Sequence, residues 1–339
     1  MGIAVEGWLA YVPAEWETSL LVPAGATEYE IVAKEGGAVK YVANVDLLFN
    51  IRLTTHFEYL MYIPEVVEGI EVVGVNLRGD RLARYQTYAS GTGKVTINGK
   101  TYVKVDGWPG MQQAAKENST CGVTFTYEGV SYSVESTINM PKYANYILEN
   151  VGDDAATQYS EEAAVLVVNV INYLYEGCKL LNDTATAEKI KDIVDNNTSR
   201  IISIPDAEKI VPDTTAMQKY ISGVTLYIEA YGPRFRFALT DAGKAAEKIT
   251  IYARANNIIH GNTDTKDECA AKGYVETNNT SVSLLNVTTV TVTPAEGDAV
   301  ALTWSLANYY AALAATGASE ATLSFVDAMY GYAIAGARY

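Results

Sequence analysis

The sequence predicts an α+β chain built as two tandem modules, each a small antiparallel, Ig-like β-sandwich followed by a helical pair. Three observations carry this expectation. Four short stretches recur in the same order in both halves of the chain. Within each half, period-two alternation of β-branched residues gives way to apolar residues at three- and four-residue spacing. Turn dipeptides such as Asn98-Gly99 and Glu128-Gly129 separate the alternating runs. On this reading residues 1–39 are a strand-rich lead-in, 40–200 the first module and 201–339 the second.

The repeat is read from four matches. Val45-Asp46-Leu47-Leu48-Phe49 answers Val224-Thr225-Leu226-Tyr227-Ile228, and His56-Phe57-Glu58-Tyr59 answers Arg234-Phe235-Arg236-Phe237. Lys142-Tyr143-Ala144-Asn145-Tyr146-Ile147 answers Ser305-Leu306-Ala307-Asn308-Tyr309-Tyr310, with Ala-Asn-Tyr identical. Leu166-Val167 through Tyr173 and Gly177 answers Phe325-Val326 through Tyr332 and Gly336. Each match is short, and the shared order gives them weight together.

Strands are expected where β-branched residues alternate. In the first module 95–97 and 101–105 flank Asn98-Gly99-Lys100, a hairpin signal because Asn-Gly accepts positive φ at both turn positions. Residues 121–127 and 130–136 form a second hairpin around Glu128-Gly129. In the second module 249–253, 281–285 and 288–293 alternate in the same way. Helices are expected where Tyr143, Ile147 and Leu148, then Ala164, Val167, Val168, Ile171 and Leu174, share a face. Leu306, Tyr309, Tyr310 and Leu313 lead likewise to Leu323, Val326, Met329, Tyr330 and Ala333. A helix pair with one apolar face must dock on another surface. Residues 185–194 carry a further amphipathic helix, and 195–219, with Asn196-Asn197, Pro205 and Pro212, read as a linker.

Composition excludes several function classes. A net charge of −15, without a Lys/Arg stripe, argues against nucleic acid and against an anionic membrane surface. No apolar run is long enough to span a bilayer, so no membrane insertion is expected. The opening Met1-Gly2-Ile3-Ala4-Val5-Glu6 lacks a signal-peptide pattern, which fits a cytoplasmic protein or a piece of a longer secreted one, and the strand-like residues that follow favour the second. Cys121, Cys178 and Cys269 have neither metal nor disulfide spacing and read as isolated thiols. The sequons at Asn118, Asn182, Asn196, Asn197, Asn278, Asn279 and Asn286 signify glycans only in a eukaryotic host.

The strand block, the Asn98-Gly99-Lys100 hairpin, the Tyr143-Ala144-Asn145-Tyr146-Ile147 helix and the Val167–Tyr173 helix resemble units of large exported proteins of gut Clostridia. Those units sit beside carbohydrate-active or anchoring domains. The likeness extends to 305–310 and 325–336 and covers most of 40–182 and 217–339. Leu174 departs from it, standing where the pattern has Gly. The second module also lacks the Asn-Gly hairpin and carries a longer polar insertion at 256–280. The resemblance implies an extracellular or cell-surface location and this architecture; the family has no settled activity to carry over.

Candidate chemistry is weighed against plainer readings. Glu161-Glu162 and Asp153-Asp154 offer carboxylate pairs, yet acidic residues before an apolar helix are explained by capping and the macrodipole. Gly91-Thr92-Gly93-Lys94 lacks the Walker spacing and reads as a turn. Asp264, Asp267 and Glu268 could offer oxygens to calcium, but the EF-hand frame is missing and a solvated loop is favoured. His56 has Arg234 as its repeat counterpart, an exchange unusual for a catalytic base although one copy of a repeat can lose function, and exposure on the polar face of the strand is favoured. Trp8, Trp16, Trp108 and Trp304 are the tryptophans. Trp108, in a turn-rich loop, offers a ring that sugars could stack on, although a ring folded over the sandwich end is the favoured reading, and Trp304, before a helix, is placed to pack in a core.

No catalytic, cofactor-binding or metal residue is assigned, and no cofactor is expected. The expected role is non-catalytic: a structural or adhesive module of an extracellular or cell-surface bacterial protein. Its partners would be neighbouring domains of a larger protein, with glycans or host and cell-wall polymers next. A glycan-binding module of a carbohydrate-active or mucin-adhering protein is the first alternative, and a subunit of a virion or surface filament the second.

Overall fold

The structure is a computed structural model. It describes the strand backbone named below before residue 139, and backbone with side chains at 139–152, 159–228, 233–253, 261–277 and 287–338, plus strand backbone at 229, 232, 254–255 and 258–260. The chain divides into two compact units. One comprises Met1–Arg52, Phe57–Pro109 and Lys116–Asn139; the other comprises Leu53–His56, Gly110–Ala115 and Met140–Tyr339.

The first unit is made of strands. They are β1 (Gly2–Val5), β2 (Trp8–Tyr11), β3 (Ser19–Leu21), β4 (Glu28–Val32), β5 (Val39–Ala43), β6 (Leu48–Leu53) and β7 (Phe57–Tyr62). Then follow β8 (Glu71–Gly79), β9 (Leu82–Thr87), β10 (Lys94–Ile97), β11 (Lys100–Val105), β12 (Ser119–Tyr127) and β13 (Val130–Ile138). Both expected hairpins form, with Ile97 opposite Lys100 across the Asn-Gly dipeptide and Tyr127 opposite Val130 across Glu-Gly. The sheets run β1-β2-β13-β12-β8-β9, β10-β11-β7-β6 and β3-β4-β5. Strand β2 of the lead-in thus joins the sheet of the first repeat, Tyr11 lying opposite Ser133 and Trp8 opposite Ser136.

Helices α1 (Met140–Glu149), α2 (Glu161–Leu180) and α3 (Thr184–Asp195) open the second unit. Strands β14 (Ile221–Glu229) and β15 (Gly232–Leu239), the short helix α4 (Asp241–Lys244), β16 (Lys248–Ala255) and β17 (Ile258–Thr265) follow. Helix α5 (Lys266–Lys272), β18 (Tyr274–Glu276), β19 (Thr288–Thr293), β20 (Val300–Trp304), α6 (Leu306–Ala315) and α7 (Glu320–Arg338) complete it. The sheets run β14-β15-β18 and β17-β16-β19-β20.

Ranked by chain position, these orders match those of the first unit. β6-β7-β11 traces the path of β14-β15-β18, and β9-β8-β12-β13 that of β17-β16-β19-β20, all antiparallel. The paired sequence stretches fall on matched elements: β6 with β14, β7 with β15, α1 with α6, α2 with α7. The sets differ at their margins. β10 flanks β11, and β2-β1 extends the sheet beyond β13; among the described residues neither addition has a counterpart in the second set.

Alternation places the sheet core. Phe235, Phe237, Ile249, Ile251, Val275, Val290, Val292 and Leu302 are buried, and β19 alternates buried and half-buried along its length. Gly261 belongs to this register: it lies opposite Tyr252, whose ring atom Cε1 would stand 2.8 Å from a Cβ at 261. Trp304 is buried at the end of β20, as its position before a helix suggested.

The helices form a second core. α2 and α7 are buried on nearly every face, as expected of helices packed on several sides. Tyr173 packs on Phe325 and Tyr332 with ring centroids 5.3 and 5.7 Å apart, so tyrosines at matched positions of α2 and α7 touch each other. The expected linker at 195–219 is instead a strap across these helices. The Asn169 side chain, fully buried, donates to the Arg200 carbonyl (2.8 Å) and accepts from the Ile202 amide (2.9 Å). Asp327 accepts from the Ile204 amide at 2.8 Å. A Cβ at Gly331 would overlap the Ile202 carbonyl, so glycine lets the strap lie directly on α7. Pro and Asn in this stretch mark irregular backbone, and irregular backbone can still be packed.

Candidate ligand pocket

The residues that gather polar chemistry lie on β15, β17, α5 and β18. Because alternate strand residues face opposite sides, burying Phe235, Phe237 and Val275 turns Arg234, Arg236, Tyr274 and Glu276 to the other face. Register sets Arg236 opposite Glu276, with Nε to Oε2 at 2.9 Å, while Arg234 Nη1 stands 3.3 Å from Glu276 Oε1. The Arg236 guanidinium lies 4.2 Å from the Tyr227 ring centroid and 4.1 Å from that of Tyr274, so it sits between two rings. Burial pulls the Arg236 pKa down, but the hydrogen bond to Glu276 together with the charges of Glu276, Tyr274 and Tyr227 leaves it above the ordinary value.

Strand β17 supplies the other wall. Asn262 and Asp264 lie opposite Ile251 and Ile249, whose side chains are in the core, so both turn toward the interior. Asp264 is 4% exposed. A buried carboxylate needs a partner, and Lys272 provides it, Nζ to Oδ1 at 2.7 Å. The hydrogen bond to Asp264 holds the Lys272 pKa above its usual value.

Lys272 is delivered by α5, which a capping box starts. The Glu268 amide donates to Thr265 Oγ1 (3.5 Å), and the Thr265 amide donates to Glu268 Oε2 (2.8 Å). That second bond, from the Thr265 backbone, lowers the Glu268 pKa. Gly273, at φ 70°, ends the helix in the left-handed conformation and turns the chain into β18. Cys269, the buried residue of α5, has its thiol pKa pushed up by burial and then by Asp264.

The two edge strands and α5 enclose a cavity of about 270 Å³. It is lined by the Arg234–Glu276 and Lys272–Asp264 ion pairs and by Asn262, Tyr274 and Thr277. Its carboxylates are each held by a cation, so the arrangement suits recognition by hydrogen bonds rather than proton transfer.

Of the residues weighed by sequence as possible ligands, Asp264 lines this pocket, and so does Arg234, named there only as the counterpart of His56. The expected solvated loop and polar insertion at 256–280 are corrected: the described part is strand, capped helix and strand, with Asp264 buried and Glu268 in the capping box. Thr265-x-x-Glu268 was the signal available for that helix. Arg234, Lys272, Tyr274 and Glu276 carried no motif, since only the pairing register gathers them.

Elsewhere, Glu161 and Glu162 stand in the first turn of α2 beside the N-cap Ser160, and Arg200 grips Glu161 at 2.7 and 2.9 Å. Cys178 and Cys269 are buried. Trp16, Trp108, His56, Gly91, Thr92, Gly93, Asp153, Asp154 and 281–285 lie outside the described residues, as do the side chains of Trp8, Lys94, Cys121 and His260. Among the described residues no group of His, Cys, Asp and Glu is placed to hold a metal, and no helix is long and apolar enough to cross a membrane. No protein-family model matches the chain, and no curated protein matches it significantly.

Proposed function

We propose that the protein is a non-catalytic structural module of an extracellular or cell-surface bacterial protein, in which a sandwich-plus-helices unit laid down twice spaces and packs neighbouring domains. One observation carries this reading: the two strand sets share a strand order, and the helices that follow them, α2 and α7, bury their apolar faces on one another. Each pair of sheets is read as a small Ig-like sandwich. The likeness to exported units of gut Clostridia supports the location.

The ion-paired state of each acid lining the pocket supports a protein that does no chemistry of its own. Two measurements test the reading. Full-length protein incubated with polysaccharide and peptide panels should leave them intact; sustained, protein-dependent cleavage would overturn the non-catalytic role. Light scattering should show a fixed particle size as concentration rises. Open-ended growth would replace the spacer with a virion or filament subunit.

A further inference from the structure

We infer that the pocket between β17 and β18 is a binding site for one neutral sugar residue. This goes beyond the spacer role and does not depend on it. The inference starts from what the two strand sets do differently. In the first, β10 pairs with the edge of β11 that faces away from β7. In the second, β18 takes the position of β11, and among the described residues no strand covers its matching edge. The capped helix α5 stands in the chain between β17 and β18, and residues of β15, β17, α5 and β18 line the cavity. Among the described residues, then, the chain between β17 and β18 supplies a capped helix and a lined cavity where the chain between β9 and β11 supplies strand β10.

The lining selects the ligand. Arg234 and Lys272 bring two positive charges, Asp264 and Glu276 two negative ones, and they are paired within the wall. A charged ligand would have to break one of these pairs and leave a partly buried partner behind, a costly exchange. A neutral ligand bearing many hydroxyls can take hydrogen bonds from the guanidinium and ammonium and give them to the carboxylates without disturbing the balance. Asn262 and Thr277 add an amide and a hydroxyl, and Tyr274 a ring edge or face for sugar C–H groups. A cavity of about 270 Å³ lies just below the usual range for drug-sized ligands and suits one ring.

The ring could arrive free or as the end of a glycan chain, and the test separates these. Saturation-transfer NMR on the full chain with D-glucose, D-galactose and N-acetyl-D-glucosamine reads the free sugars, and a glycan array reads chain ends. At least one arm should give saturable binding, weakened about tenfold by Asn262→Ala, the loss of roughly one hydrogen bond. Asn262 is half-buried at an edge, so its variant should retain the wild-type melting profile. If Asn262→Ala fails to fold, Glu276→Gln supplies the same readout. The inference is overturned by silence in both arms, by binding that neither variant changes, or by preference for D-glucuronate or glycine over every neutral sugar.

Discussion

Asn169 shows how one side chain can replace a stretch of secondary structure. The strap at 200–204 has no sheet partner, and a buried amide or carbonyl without one costs about 1 to 3 kcal/mol. The Asn169 carboxamide offers a donor and an acceptor in the spacing of a peptide group, so it pairs with Arg200 and Ile202 as a neighbouring strand would. Its amide also reaches the Val165 carbonyl at 2.7 Å, which fixes its orientation on α2. Asn169→Leu keeps the volume and removes both strap partners. We expect it to lose about 3 kcal/mol by chemical denaturation, the sum of two unpaired backbone groups. Asn169→Gln, which can still present both atoms, should lose less. Equal loss in the two variants would show that packing, not pairing, holds the strap.

The α2–α7 contact places titratable groups where their protons are hard to remove. Burial pushes the phenols of Tyr173 and Tyr332 well above the ordinary tyrosine value. Burial, and then the bond to Glu208 at 3.0 Å, push Tyr330 to about 12. A group whose folded pKa is raised binds its proton more tightly in the native state, so its stabilising effect is complete below the unfolded pKa, about 10, and fades as pH rises beyond it. Stability should therefore be flat from neutral pH to about 10 and fall steeply above it. Tyrosinate absorbance should show a late phase that coincides with loss of helical circular dichroism. Ionisation of all tyrosines near their ordinary pKa with the helices intact would contradict the buried placement. The helices themselves were legible, because apolar residues at three- and four-residue spacing survive any tertiary context. Their mutual packing was foreseeable only as a need, since an apolar face must go somewhere and the sequence does not say where. The stretch 256–280 was misread for a physical reason: on edge strand β17 the interior positions hold Asn262 and Asp264, so the polar composition of a loop also fits a strand whose inward side chains line a cavity.

At the scale of the whole chain, charge sets the terms. Forty acidic residues against twenty-five basic ones give a net −15. The local ion pairs run the other way: Arg200 holds the Glu161 carboxyl below its usual pKa through their hydrogen bond, an attraction that salt would weaken. These two effects predict opposite responses to ionic strength, and magnitudes decide between them. An exposed pair contributes at most about 1 kcal/mol and often nothing measurable. Repulsion among excess carboxylates acts over many pairs within a Debye length, about 30 Å at 0.01 M ionic strength and about 8 Å at 0.15 M. Net repulsion should win, so the melting temperature should rise when salt is raised from low to physiological strength at pH 7. It should also rise as pH falls from 7 toward 5, where carboxylates begin to take up protons, and drop again below that as Glu161, whose folded pKa is depressed, loses its pairing. Scanning calorimetry across salt and pH reads both trends. A melting temperature that falls with added salt at pH 7 would mean that attraction within ion pairs outweighs repulsion among the excess carboxylates.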